Sequence, residues 1–205
     1  MCYIAIATML HPDKINFYLK VFPHLSFDDL QQLLGIAAVR TLQAGELYIR
    51  EGDLTTNIAY IQEGLIRSYH INEKGEELTL LLRWEDQFIA SHDNIFFQKP
   101  SRFVYQAVEQ TTLLEANYDR IESIMKNNPG YEASRHYFVL NMLAASMLRV
   151  ESFVLLSPEQ RYLQLIDEKP NLLQRVPGKY LASLLGITPV SLSRIRKRIA
   201  VKQKH

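Results

Sequence analysis

The stretch that most constrains this chain runs from 177 to 199, PGKYLASLLGITPVSLSRIRKRI. Its apolar residues fall on two helical periods separated by a glycine. Leu181, Leu184 and Leu185 form the first, and small Ala182 leaves room for another helix to pack closely. Gly186 follows the last apolar turn, where a chain leaving a helix often needs a positive φ. Ile187 closes the turn as a core residue. Thr188 is placed to cap the next helix, and Pro189 suits its first position. Leu192, Ile195 and Ile199 then make one buried face, with Ser191, Arg194, Arg196, Lys197 and Arg198 on the other side. Two short helices, a glycine turn and a capped, basic second helix make the helix-turn-helix layout, whose second helix enters a DNA major groove. A helical hairpin with a merely solvated basic face shows the same apolar spacing, so charge has to decide between them.

The net charge of +1 conceals a division. Residues 169–205 hold nine Lys/Arg and no Asp/Glu, whereas residues 1–168 hold 14 Lys/Arg and 22 Asp/Glu. A basic module on an acidic body is the electrostatic footprint of a partner for a polyanion. A solvated tail accounts for Lys202 to His205. It does not account for Arg194 to Arg198, which sit on a patterned helix.

Composition removes several classes. With 47% hydrophobic and 22% charged residues, the 205-residue chain reads as an ordinary soluble protein of one large or two small domains. Cys2 is the single cysteine, which excludes a disulfide framework, a cysteine-ligated zinc site and an iron–sulfur cluster within one chain. The histidines at 11, 24, 70, 136 and 205 form no metal spacing, and no metal is expected. The start, MCYIAIATML, is apolar over only about ten residues, too short for a bilayer, and it lacks a basic leader. Residues 1–12 are therefore read as an arm: a disordered or mis-started end, or a small packing segment. The cytoplasm is the expected location, with no membrane partner.

Upstream of the motif the period changes twice. Residues 13–35 look helical: Ile15, Tyr18, Leu19 and Phe22 form a stripe, and Ser26 with Asp28 and Asp29 opens a second helix ending at Gly35. From Val39 the period is two. Short runs at Val39–Thr41, Leu47–Ile49, Ile58–Ile61, Leu65–Ile71, Leu78–Leu82, Phe103–Val108 and Thr111–Ala116 alternate with turn signals such as Gly45, Gly52, Gly64 and Gly75. They predict an antiparallel sandwich or roll. A helix follows near Tyr118–Lys126, then a long one from Tyr131 to Leu156. In the long helix Leu140, Leu143, Met147, Val150 and Val154 are spaced as a heptad seam, a pattern that favours helix pairing. Phe138, Met142, Ala145 and Leu148 flank the seam, so one face can cover the β-domain while the seam meets a second copy of the chain. Ser157-Pro158-Glu159-Gln160 opens another helix, Arg161 to Asp167, and Lys169-Pro170-Asn171 reads as a connector.

This order resembles the cyclic AMP receptor protein / fumarate–nitrate regulator (Crp/Fnr) family over nearly the whole chain. The N-terminal half is similar to a cyclic-nucleotide-binding domain at Gly45-Glu46, Arg50-Glu51-Gly52-Asp53, Gly64-Leu65-Ile66-Arg67 and Phe88-Ile89. The C-terminal half, Ser157–Arg161 and Ile187–Arg196, is similar to a Bacteroidetes-type group of such regulators. The resemblance implies an α+β fold with four parts. They are an N-terminal arm (1–12), a cyclic-nucleotide-binding-like antiparallel β-roll with flanking helices (13–130), a dimerisation helix (131–156), and a winged-helix-like helix-turn-helix domain (157–205). It implies a homodimeric transcription regulator bound to double-stranded DNA, with RNA polymerase admitted as a further partner.

Matched residue by residue, Thr188 and Ser191 are phosphate contacts, and Arg194 reads a base edge. Pro189 and Val190 depart from the family pattern, so a different operator is expected. Lys179 and Lys197 are read as phosphate contacts, while Arg196 and Arg198 divide evenly between phosphate and structural roles. The effector pocket departs further: Ala90-Ser91 stands where the family has Gly-Glu, and Ser101-Arg102 reverses the expected Arg-Ser. Weak or no cyclic AMP binding is therefore expected, leaving an unidentified small molecule or a vestigial pocket. His92 and Asp93, if adjacent on a strand, would point apart. No catalytic constellation is legible, and the chain is not read as an enzyme. The rival reading is a regulatory module that acts through protein partners without DNA.

Overall fold

The structure, a computed structural model, describes residues 22–202. The expected stripe at Ile15, Tyr18 and Leu19 and the 1–12 arm lie outside the described residues.

Helix α1 (Phe27–Gly35) opens on a reciprocal cap: Ser26 Oγ accepts from the Asp29 N–H at 3.2 Å, and the Asp29 carboxylate accepts from the Ser26 N–H at 2.9 Å. Eight strands follow: β1 (Ala38–Leu42), β2 (Leu47–Ile49), β3 (Asn57–Glu63), β4 (Leu65–Ile71), β5 (Glu77–Trp84), β6 (Phe88–Ala90), β7 (Val104–Ala107) and β8 (Thr111–Asn117). Helix α2 (His92–Phe97) interrupts them between β6 and β7. Each strand pair is antiparallel, in two sheets ordered β1-β8-β3-β6 and β2-β7-β4-β5. Gly45, Gly52, Gly64 and Gly75 all take positive φ, which is why the turns fall where those residues stand. The sheets close over Leu42, Ile49, Ile61, Ile66, Ile89, Tyr105 and Leu113, all nearly inaccessible.

Helix α3 (Tyr118–Met125) and the start of α4 (Pro129–Leu155) join α1 around Leu30, Leu34, Tyr60, Leu114 and Met125. The long helix starts two residues earlier than the spacing predicts. Asn128 is its cap, accepting from the Tyr131 N–H at 3.0 Å, and Pro129 fills the first position, so a sequence read as a stop is also a start.

The C-terminal region has α5 (Pro158–Glu168), α6 (Leu172–Arg175), α7 (Gly178–Leu184) and α8 (Pro189–Lys202). Helix α6, which the spacing does not predict, follows directly on the expected connector at 169–171; it is one turn long without a side-chain cap, and it forms because Leu172 is fully buried. Among the described residues this region contains no strand, so nothing there forms the wing that a winged-helix-like domain would carry. Its core of Tyr162, Leu181, Ala182, Leu184, Leu192 and Ile195 continues into Leu65 and Leu82 of the β-roll.

Candidate nucleic-acid interface and effector cleft

The turn between α7 and α8 is built as its residues predict. Gly186 has φ +69°, and the Ile187 N–H reaches back to the Ala182 carbonyl at 3.0 Å. Thr188 Oγ1 accepts from the Ser191 N–H at 3.1 Å, and the two hydroxyls are 3.0 Å apart. Leu192 and Ile195 are buried, and Ile199 is half-buried against the same core. This leaves Pro189, Val190, Arg194 and Lys197 exposed together on the opposite side of α8, and Thr188 exposed at its start. Lys179 is exposed at the start of α7, its ammonium 5.0 Å from the Tyr180 ring centre. Two other cations leave this face. Arg196 turns back over Tyr162, 5.9 Å from the ring centre, and Arg198 lies 2.7 Å from a Glu159 carboxylate oxygen.

The basic module is clamped to the β-roll. Arg175 pairs with Glu85 and Glu109 at 2.5 Å each and donates to the Gly64 carbonyl at 3.1 Å, while Lys169 meets Glu85 at 3.0 Å. Fully buried Arg67 of β4 lies between Tyr69 and Tyr180, 3.9 and 3.6 Å from their ring centres, and donates to Gln106 and Glu77. The Thr79 N–H donates to Ser183 Oγ at 2.8 Å. Burial works against the Glu85 charge, but hydrogen bonds from Arg175 and Lys169 more than offset it and hold the carboxyl down at about 2, against an ordinary 4.5. A depressed carboxyl contributes stability that is complete above its unfolded pKa and is lost as pH falls through its folded one. The urea midpoint of the chain is therefore expected to fall more steeply with acidification from about pH 5 to about pH 2 than that of a Glu85→Gln variant. Parallel curves would show that the Glu85 carboxylate does not hold the clamp.

The long helix leaves the body after its first turns. Phe138 packs against Phe22 and Phe88, but from Val139 to Leu148 no residue is buried. The seam residues Leu140, Leu143, Met147, Val150 and Val154 are between 50% and 76% exposed. Helix α4 is also the one helix among the described residues long and apolar enough to cross a membrane by length and composition. Its Phe138, Met142, Ala145 and Leu148 face a cleft of about 1480 Å³ closed on the other side by β3, β5, β6 and the end of α7. Leu140, Leu143 and Met147 do not line that cleft, whereas Val150 and Val154 do, so the seam is a separate apolar face over the middle of the helix and meets the cleft at its C-terminal end.

The expected effector residues are not brought together. Ala90 lines the cleft. Ser91 is buried and caps α2, accepting from the Asn94 N–H. Ser101 is buried and donates to the Phe103 carbonyl at 2.8 Å. Arg102 points outward, its side chain 67% exposed, and donates to Asp93 from its backbone and its guanidinium, both at 2.9 Å. Burial opposes the Asp93 charge, and the Arg102 hydrogen bonds more than offset this and keep the carboxyl below its usual range. His92 and Asp93 belong to a helix, not a strand, and lie 3.5 Å apart, because the Ser91 cap turns the chain there. Among the described residues no group of three His, Cys, Asp or Glu is arranged to hold a metal.

Sequence reasoning missed Arg67, Arg175, Arg83 and Arg149. An arginine inside the apolar run of β4 was the available signal for Arg67, but its stacking partner Tyr180 lies more than a hundred positions away.

Known proteins agree with this architecture. Residues 39–128 match the cyclic nucleotide-binding domain family. No curated protein matches the sequence. Among solved structures, the c-di-GMP responsive global regulator CLP of Xanthomonas campestris superposes with a TM-score of 0.66 at 16% identity, over 87% of this chain and 93% of that one. FixK2 of Bradyrhizobium japonicum gives 0.71 at 11% identity over 82% and 86%. The catabolite activator protein of Thermus thermophilus gives 0.54 at 18% identity over 89% and 87%. Residues 39–128 are similar to a cyclic nucleotide-binding domain, and the chain, from that region through the long helix to the helix-turn-helix, has the fold of the Crp/Fnr transcriptional regulators.

Proposed function

We propose that the chain is a sequence-specific, DNA-binding transcription regulator that works as a homodimer in the cytoplasm, with an effector other than cyclic AMP. The observation that carries this is the exposed face of α8. Arg194 and Lys197 stand beside Val190 on a helix whose Arg198 and Arg196 are turned to Glu159 and Tyr162. Thr188 and Ser191, with the α8 N-terminal amides, suit a phosphate. Lys179 extends the basic edge. Arg194 has the fork to grip guanine O6 and N7, and Val190 suits a thymine methyl. The seam Leu140, Leu143, Met147, Val150 and Val154 would pair two copies, so that two α8 helices meet half-sites about 34 Å apart. The domain limits follow the same reading: roll to residue 130, dimer helix 131–156, DNA-binding region 157–205.

The departure from cyclic AMP is supported by Arg102, whose charge is spent on Asp93 outside the cleft. CLP, described as c-di-GMP responsive, is an example of this fold answering to another small molecule.

Selection from random duplexes, followed by gel-shift titration, tests the reading. A selected site should bind far better than bulk DNA; no preference for any sequence, with or without cell extract, would sink it. On that site Arg194→Ala should cost about 1–3 kcal/mol and relax one base per half-site. Lys197→Ala should weaken all sequences alike and flatten the salt slope by about one unit. Identical effects from both variants would refute the division of roles.

A further inference from the structure

The cleft between the roll and α4 holds a guanidinium that makes no direct hydrogen bond or ion pair among the described residues. Its walls are apolar over most of their length, with Tyr60, Phe88 and Phe96 from the roll and Phe138 and Met142 from α4. Into one part of it come Arg83 of β5 and Arg149 of α4, both half-buried. Arg149 reaches a single acceptor, the Leu184 carbonyl at 3.3 Å. Arg83 donates no hydrogen bond and has no carboxylate within 4 Å among the described residues. Glu168 of α5 acts on it only at longer range, as does the Tyr105 phenol, and Asp167 also borders the cleft.

The other arginines along the cleft are already used. Arg161 donates to the Leu156 and Leu185 carbonyls, and Arg135 pairs with Glu132. Burial depresses the guanidinium pKa of both Arg83 and Arg149, and the two charges oppose one another. The Arg83 nitrogens still reach water, so the lack of a protein acceptor is a modest cost of partial desolvation and not a full burial penalty. That cost is relieved when an acceptor arrives from outside.

We propose that this cleft binds an unbranched fatty acid, its carboxylate held by Arg83 beside Arg149 and its chain laid along Phe88, Phe96 and Met142. A planar carboxylate matches the fork of a guanidinium, and the apolar walls call for an aliphatic body. A compact polar effector would leave those walls wet, and a cyclic nucleotide carries more polar groups than the walls can answer. The proposal names the effector class of the regulator described above. It is assayed without DNA, so it stands or falls separately from DNA recognition.

Trp84 is the only tryptophan and lines the cleft, so its emission reports occupancy. The full chain is titrated with dodecanoate below its micelle concentration, with 1-dodecanol and with acetate, and affinities are confirmed by calorimetry. Dodecanoate should give a saturable change, dodecanol should bind about tenfold more weakly or worse, and acetate should do nothing. Arg83→Gln should weaken dodecanoate about tenfold while leaving dodecanol unchanged. Since Arg83 donates no hydrogen bond, the variant should melt like the parent; if it fails to fold, the acid–alcohol comparison on the parent chain decides. Phe96→Ala, at an already exposed position, should weaken acid and alcohol alike. Equal affinity for acid and alcohol, an unchanged Arg83→Gln, displacement by cyclic AMP at lower concentration than dodecanoate, or no saturable binding would each overturn the proposal.

Discussion

Replacing Leu143 with aspartate is expected to leave a folded monomer whose affinity for the selected DNA site is lower by about 100-fold or more. Leu143 sits in the middle of the seam, is 57% exposed in the single chain and does not border the cleft. Its side chain therefore contributes little to the fold of one copy. In a pair of helices it would be covered, and each leucine so covered is worth about 1.5–3 kcal/mol. Aspartate loses that and adds the cost of a carboxylate at the seam. The DNA consequence follows from linkage: the second half-site is bound cheaply only while the first copy holds the second nearby. Sedimentation equilibrium should show one chain per particle, with a melting temperature measured at low concentration close to that of the parent. A dimer of undiminished affinity would mean that the seam is not where two copies meet.

The parts of the fold that depend on local chemistry were legible in advance. Gly186, Thr188 and Pro189 define the turn of the helix-turn-helix within four residues. Ser26–Asp29 and Ser157–Gln160 mark helix starts by reciprocal capping. Gly45, Gly52, Gly64 and Gly75 mark turns because a positive φ is needed at each. Elements without such punctuation were not legible. Strand β6 has three residues and α6 has four, and each is held by the tertiary contacts of Ile89 or Leu172 rather than by its own pattern.

The candidate DNA face was legible for the same reason as the turn: its residues share one helix. The count of nine basic residues overstated it, since Lys169, Arg175 and Arg198 spend their charge on carboxylates. The effector pocket was the least legible. A linear comparison can place Arg102 in a slot, but only the three-dimensional approach of Asp93 decides where its guanidinium points. Arg83 and Arg149, on a strand and a helix far apart in sequence, carry no local signal of a shared cleft.

Gly64→Ala is expected to destabilise the chain by about 3 kcal/mol or more, because it adds backbone strain to a collision. Gly64 joins β3 to β4 at φ +100°, and a Cβ there would lie 2.5 Å from Thr111 Oγ1 and 2.6 Å from both the Gln110 carbonyl oxygen and Thr111 Cα. Two of those atoms are backbone and cannot rotate away. The third is engaged: the Leu65 N–H donates to Thr111 Oγ1 at 3.1 Å, and that hydroxyl donates to the Glu109 carbonyl at 2.9 Å. Gly64 also belongs to the clamp, since its N–H donates to Glu85 at 3.2 Å and its carbonyl accepts from Arg175 at 3.1 Å. A shift that made room for a methyl group would pull the turn away from both. Gly75→Ala is the control. Its φ is +78°, but nothing lies within 4 Å of the new Cβ, so only the conformational cost of about 1 kcal/mol applies. Urea unfolding of the two variants separates strain from collision. In the Gly64 variant the Trp84 emission, next to Glu85, should also change at lower urea than far-ultraviolet circular dichroism, as the DNA-binding region lifts from the roll before the strands part. Equal losses at the two glycines would mean that the β3–β4 turn can give way, and that the clamp does not depend on its position.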